Sequence, residues 1–167
     1  MLWVRKYLHP TTWFLLLLLS GCFGFIDTNN DVFVKEKMSQ ILASEPKSHI
    51  DLLFFRHFNN MAQNTRGNTK YELYYSLNVS NVQTLSVTQN SSNLKNTTVT
   101  VKFTLKNQQS GRSIHKGKIS SEATSGAVSG LYGQEQSKKF AQERLAILLA
   151  QRVYQNLYLY FLDKPNS

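Results

Sequence analysis

The chain of 167 residues contains a single cysteine, Cys22, so it cannot form a disulfide bond within itself. Small secreted domains of eukaryotes are usually stabilised by several disulfides, and this class is therefore excluded. Acidic residues are also scarce, because ten Asp and Glu stand against nineteen Lys and Arg, which gives a formal net charge of +9. Such a chain is expected to meet anionic partners.

The sequence also lacks the short motifs that organise common enzyme sites. It contains no Gly-x-Ser-x-Gly nucleophile elbow, no P-loop and no Gly-x-Gly-x-x-Gly. His49, His57 and His115 are scattered, and no pair of them has the spacing of metal ligands. We therefore expect a protein that is not an enzyme and that requires neither a cofactor nor a metal.

Residues 1–21 have the order of basic, apolar and small residues that is typical of an export signal. The basic pair Arg5-Lys6 precedes the apolar run 13–19, which is far shorter than the ~20 apolar residues of a membrane-spanning helix. Leu19-Ser20-Gly21-Cys22 then resembles the bacterial lipobox, in which the cysteine thiol is acylated before cleavage. We expect the signal to be removed and Cys22 to carry the lipid. An ordinary secretory signal that happens to end in cysteine is the alternative.

Beyond the signal, the chain divides into a predicted lipidated tether, residues 22–30, and a single domain, residues 31–167. Phe23 follows the cysteine, where an Asp would resemble the inner-membrane retention signal of bacteria with two membranes. We therefore expect a location at the periplasmic face of the outer membrane. No nucleic acid is present there. The anionic partners expected are lipid phosphates, lipopolysaccharide and acidic protein surfaces.

Hydrophobic periodicity predicts an α+β domain. Residues 48–63 and about 134–160 have apolar residues at helical spacing. Part of 38–43 is predicted as a short first strand, and 107–111 as a hairpin turn. Apolar and polar residues alternate, as in half-buried strands, in segments 71–79, 99–105 and 114–124. This order predicts two helices packed on one face of a roughly four-stranded, mostly antiparallel or mixed sheet, which is a two-layer sandwich.

Several local features carry a family resemblance, which is best over residues 71–160. Tyr71-Glu72-Leu73-Tyr74-Tyr75 opens a strand, a strand pair flanks a Gly turn, and Phe140-Ala141-Gln142-Glu143-Arg144 enters a long Ala/Leu/Arg helix. In these features the chain resembles the lipopolysaccharide-assembly lipoprotein LptE family, although Cys22-Phe23-Gly24-Phe25 is not followed by the Pro-Leu-Tyr segment that is frequent there. The resemblance implies a sandwich that plugs and stabilises the β-barrel of the partner LptD and binds lipopolysaccharide during its delivery to the cell surface.

Basic residues are concentrated in the predicted strands. No acidic residue lies between Glu72 and Glu122, whereas six basic residues do. Lys102 and Lys106 alternate with threonines on one strand, and Lys116 and Lys118 share a face of the next, so a hairpin would bring them together. Ammonium groups bind the phosphates of lipopolysaccharide. The candidate polyanion-binding residues are Lys102, Lys106, Arg112, Lys116 and Lys118.

Other interpretations of these patterns stay open. The lysines are equally typical of a solvated sheet face or of an edge strand that resists pairing with other chains. The aromatic residues near the end of the last helix suit either the core or a partner interface. They are Tyr154, Tyr158, Tyr160 and Phe161. The alternative function is a lipid- or envelope-binding periplasmic lipoprotein without a barrel partner, and a third, less favoured, is a cell-wall hydrolase.

Overall fold

The computed structural model describes residues 28–64, 68–84, 94–125 and 130–164. These ranges form three helices and four strands. In chain order they are α1 (Thr28–Ser39), β1 (Ile41–Ala43), α2 (His49–Ala62), β2 (Tyr71–Thr84), β3 (Leu94–Asn107), β4 (Ser113–Ser125) and α3 (Leu131–Asp163). The predicted export signal and the lipidation site Cys22 lie outside the described residues.

The four strands form one sheet in the order β1-β2-β3-β4. The chain passes through α2 between β1 and β2, which therefore pair in parallel, whereas the other pairs are antiparallel. Alternate apolar residues point to the helices, so that Leu73 lies opposite Leu105 and both are fully buried. The predicted α+β sandwich with a mixed, four-stranded sheet is confirmed.

Helix α2 follows from local sequence signals. Ser48 is its N-cap, and the side-chain oxygen of Ser48 accepts a hydrogen bond from the backbone N–H of Asp51 at 3.1 Å. Gln63 ends the helix in the left-handed conformation, with φ of +52°. Phe54 and Phe58, one turn apart, are fully buried against the sheet and α3. The predicted helix over residues 48–63 is confirmed.

Helix α3 is 33 residues long and extends past both predicted ends. Its apolar stripe is buried at helical spacing by Leu145, Leu149, Val153 and Leu157. The aromatic residues near its end belong to the core, since Phe161 is fully buried and the three tyrosines are partly buried against the core cluster. No helix within the described ranges combines the length and apolar character needed to cross a membrane.

Helix α1 corrects the prediction of only two helices. It begins at Thr28, so the last three residues of the predicted tether 22–30 are helical. The consecutive apolar residues Val32, Phe33 and Val34 do not recur at helical spacing, so the sequence pattern does not predict this helix. Its stability comes from tertiary contacts instead. Val34 and Met38, one turn apart, are buried in the core.

Candidate functional site

The helices cover one face of the sheet, and no described element covers the other, which we call the open face. It carries the polar residues that alternate with the buried ones along β2, β3 and β4. Its central members are Ser76, Asn78, Thr100, Lys102, Thr104, Lys106, Lys116, Lys118 and Ser120. The open face is therefore a hydroxyl- and lysine-rich surface formed by three long strands.

The strand register brings the predicted lysines together. Lys102 on β3 lies directly opposite Lys118 on β4, and Thr104 lies opposite Lys116. Directly opposed residues of antiparallel strands have Cβ atoms only about 4.5–5.5 Å apart. Lys102, Lys116 and Lys118 are all exposed, and we call these three residues the lysine patch.

The charge of the lysine patch is not neutralised by neighbouring acids. None of its three lysines forms an ion pair with any residue in the described ranges. The two acids of the same face lie at its opposite ends, where Glu72 is opposite Lys106 and Glu122 is opposite Thr98. Because opposed like charges destabilise a sheet, the Lys102–Lys118 pair is a local cost that an anionic ligand would relieve.

Lys106 and Arg112 differ from the lysine patch. The Lys106 ammonium lies 4.5 Å from the centre of the Tyr74 ring, a cation–π distance. The Tyr74 hydroxyl donates a hydrogen bond of 2.7 Å to the Glu72 carboxylate, and this bond raises the pKa of Tyr74. Arg112 is exposed in the connection between β3 and β4 rather than on a strand. Lys106 thus continues the patch toward this turn but is already held by an aromatic neighbour.

The turn between β3 and β4 is built as predicted. The Gly111 N–H donates to the Asn107 carbonyl oxygen at 2.9 Å, and the Asn107 side chain accepts from the N–H groups of Gln109 and Ser110. Gly111 has φ of +66°, a conformation that favours glycine. The strand register shifts just before this turn, between Leu105 and Lys106.

A second feature was not predicted from the sequence. A groove of about 710 Å³ separates the end of β4 from the first half of α3. Residues 122–124 form one wall, and α3 contributes apolar and small side chains with Arg144. Phe140 is 60% exposed there although it belongs to a helix that packs on the core. Its position beside the buried stripe was the only signal of this groove in the sequence.

The histidines make contacts between elements. His49 lies 3.1 Å from the Glu143 carboxylate, and His57 lies 3.3 Å from the Gln151 amide, so both link α2 to α3. His115 lies 2.8 Å from the Asn156 side chain. Within the described ranges, no group of three or more His, Cys, Asp and Glu residues is placed to hold a metal ion.

Comparisons with known proteins give a class of fold. The chain matches no protein-family model and no curated protein sequence. It is similar to solved structures of bacterial lipoproteins, and at these identities the likeness shows the fold alone. A lipoprotein of Caulobacter crescentus is 20% identical with a TM-score of 0.65, over 78% of this chain and 96% of that one.

Two further structures share the same class. Rare lipoprotein B of Shewanella oneidensis is 12% identical with a TM-score of 0.58, over 74% of this chain and 95% of that one. A minor lipoprotein of Acinetobacter baumannii is 13% identical with a TM-score of 0.56, over 72% of this chain and 89% of that one. The chain therefore has a fold found in bacterial lipoproteins.

Proposed function

We propose that this chain is a non-enzymatic outer-membrane lipoprotein of the LptE type, anchored through Cys22. In this role it forms a complex with an LptD-type β-barrel and assists the assembly of lipopolysaccharide at the cell surface. The open face binds the lipopolysaccharide. The lipobox at Cys22, the local features that resemble the LptE family and the lipoprotein fold support the proposal.

The observation that carries the proposal is the opposed pair of Lys102 and Lys118 on an otherwise hydroxyl-rich sheet face. Lipopolysaccharide presents several phosphates close together, and each ammonium binds them as a point charge. Thr100 and Ser120, whose hydroxyl oxygens lie 2.9 Å apart beside the patch, add hydroxyls suited to phosphate and sugar oxygens. Binding relieves the repulsion between the lysines, so this surface favours a polyanion over a neutral ligand.

Substitution of the four strand lysines tests the binding role. Replacing Lys102, Lys106, Lys116 and Lys118 with Ser should weaken lipopolysaccharide binding by at least about tenfold, because each exposed cation contributes about 1 kcal/mol near an anionic surface. The affinity is measured with purified lipopolysaccharide at low and high salt. The matched control replaces Lys35, Arg56, Lys138 and Lys139, four cations on helices, with Ser. Equal affinity of the two folded variants would rule out the open face as the binding site.

Co-purification in detergent tests the partnership and separates the two functions. A lipoprotein of the LptE type is recovered from the outer membrane in a stable complex with a large barrel protein. The alternative, a lipid- or envelope-binding lipoprotein without a barrel partner, is recovered alone. Recovery of the full chain only as a monomer would therefore contradict the proposed complex.

A further inference from the structure

The outer edge of β4 is closed along part of its length. One edge of this strand pairs with β3, and the other ends the sheet. Side chains of α3 reach this outer edge: Tyr160 donates a hydrogen bond to the Ile114 carbonyl oxygen at 3.1 Å, and Arg152 donates to the Ser120 carbonyl oxygen at 3.2 Å. These two bonds hold α3 against the edge at Ile114 and Ser120, and a helix beside an edge hinders its pairing with other chains.

Beyond Ser120, no side chain within the described ranges bonds to the outer edge of β4. In an antiparallel pair, the N–H and C=O groups of one residue point to the same side, and successive residues alternate. Since the Ser120 carbonyl points outward, the N–H and C=O groups of Glu122 and Thr124 point outward as well. Within the described ranges neither residue has a backbone partner on that side. The end of β4 thus offers the N–H and C=O groups of two residues, which have no partner among the described residues.

The groove described above lies beside this open edge. Phe140 and Leu148 of α3 are 60% and 37% exposed and supply apolar surface. Arg144 is also in the lining and is exposed, and it forms no ion pair with the described residues. A volume of about 710 Å³ falls within the range of pockets that hold drug-sized molecules, so it accommodates several side chains.

We infer that this edge and groove receive an extended segment of the barrel partner, which adds a strand to the sheet at residues 122–124. The added backbone pairs with the outward groups of Glu122 and Thr124, its apolar side chains contact Phe140 and Leu148, and a carboxylate on the segment pairs with Arg144. This inference rests on the proposed function, since it names where the partner is held.

The chemistry of the site favours a polypeptide as the occupant. Outward donors and acceptors recur every second residue, about 6.8 Å apart, which is the repeat of an extended backbone. An acyl chain would leave all of them without partners, and an isolated phosphate would use only the donors. The lining has Glu122 on the β4 wall and Arg144 on the α3 wall, so an acidic side chain of the segment is favoured only where it faces α3.

Proline substitutions test the strand pairing in the complex of full-length chain and barrel. Thr124→Pro and Glu122→Pro each remove an outward N–H without removing a bond to β3, and proline is tolerated at such edge positions. Each should weaken recovery of the barrel complex by about fivefold to tenfold. Val79→Pro is the matched control, because it also removes an N–H that points away from β3, but on the other edge of the sheet, two strands from the groove. An unchanged yield for both groove variants would overturn the inference.

A photocrosslinking residue in place of Ser137, which lines the groove, gives an independent measurement. We expect one contiguous peptide of the barrel protein in the adduct, and its loss when Glu122→Pro is added. An adduct with a second copy of this chain, with lipid, or with no partner while the complex is intact would overturn the inference. If the wild-type chain yields no barrel complex at all, the proposed function fails instead, so the two failures are distinguishable.

Discussion

At the scale of single residues, a close contact within the sheet occurs where Phe103 of β3 lies opposite Gly117 of β4. The Phe103 ring is only 3% exposed and leans over the glycine. A Cβ atom at Gly117 would lie 2.3 Å from Cζ and 2.5 Å from Cε1 of that ring. Glycine is therefore required here by the close approach of a buried ring, although it is a weak strand former.

Gly117→Ala should accordingly destabilise the domain. The buried ring has to move to admit the methyl group, and overpacking of this kind costs about 1–3 kcal/mol. The measurement is the free energy of unfolding in denaturant. Adding Phe103→Leu should recover part of the loss, because the shorter side chain leaves space for the methyl group. A Gly117→Ala variant as stable as the wild type, or a double variant with additive losses, would contradict this packing account.

The lysine patch shows how far residue-level prediction reaches. The alternation of Lys and Thr placed Lys102, Lys116 and Lys118 on one face, because a side-chain period of two leaves no other choice once a strand is assigned. The cation–π contact of Lys106 with Tyr74 was not predictable, since it depends on which residue of a neighbouring strand lies alongside. The sequence predicts on which face of the sheet each side chain lies. The residues that it contacts depend on the strand register, which only the structure gives.

At the scale of elements, local signals and tertiary contacts divide the helices into two kinds. The α2 boundaries could be predicted because a capping serine and a periodic apolar stripe act within the segment. Among the α1 side chains that the structure describes, Val34 and Met38 are the buried ones, and the run Val32-Phe33-Val34 has no helical period from which a helix could be predicted. Its helical state depends on docking to α3 far along the chain, which no local pattern encodes.

The docking of α1 predicts an acid dependence of stability. Asp31 accepts hydrogen bonds from Lys35 and from the Tyr158 hydroxyl of α3, and in that order they hold the pKa of Asp31 below its ordinary value of 3.8. A carboxylate whose pKa is lower in the folded state stabilises the fold above the unfolded pKa. This contribution is lost as the pH falls from about 4 through the lowered pKa.

Asp31→Asn should therefore lower the melting temperature near neutral pH and reduce its further fall below about pH 4. Thermal unfolding followed across the acid range measures both effects. Asp163→Asn is the control, because this exposed acid in the last turn of α3 has no comparable partner among the described residues. If the melting temperature of Asp31→Asn fell below about pH 4 as much as that of the wild type, the contact of Asp31 with Tyr158 would not stabilise α1.

At the scale of the whole molecule, the two faces of the sheet differ in what they carry. The helical face contains the core and the contact between the His49 ring and the Glu143 carboxylate, which joins α2 to α3. The open face contains the unpaired lysine patch. Composition predicted the excess of positive charge, but the groove beside β4 depends on the angle between a strand and a helix, which the position of Phe140 in the sequence does not give. A surface suited to anions could thus be predicted, whereas the place proposed for a partner strand could not.

The lipid proposed at Cys22 predicts a property of the whole molecule: the anchor sets where the protein is located and does not contribute to its folding. Cys22 lies six residues before Thr28, so an extended link spans at most about 20 Å from the lipid to the start of α1. Cys22→Ala should release the chain from the membrane fraction and lower the yield of barrel complex, because anchoring raises the local concentration of the two partners. The melting temperature should not change, since the core lies between Val34 and Phe161. Fractionation, complex yield and thermal unfolding of the two chains measure these effects. Retention of Cys22→Ala in the outer membrane, or a lower melting temperature, would contradict a role limited to anchoring.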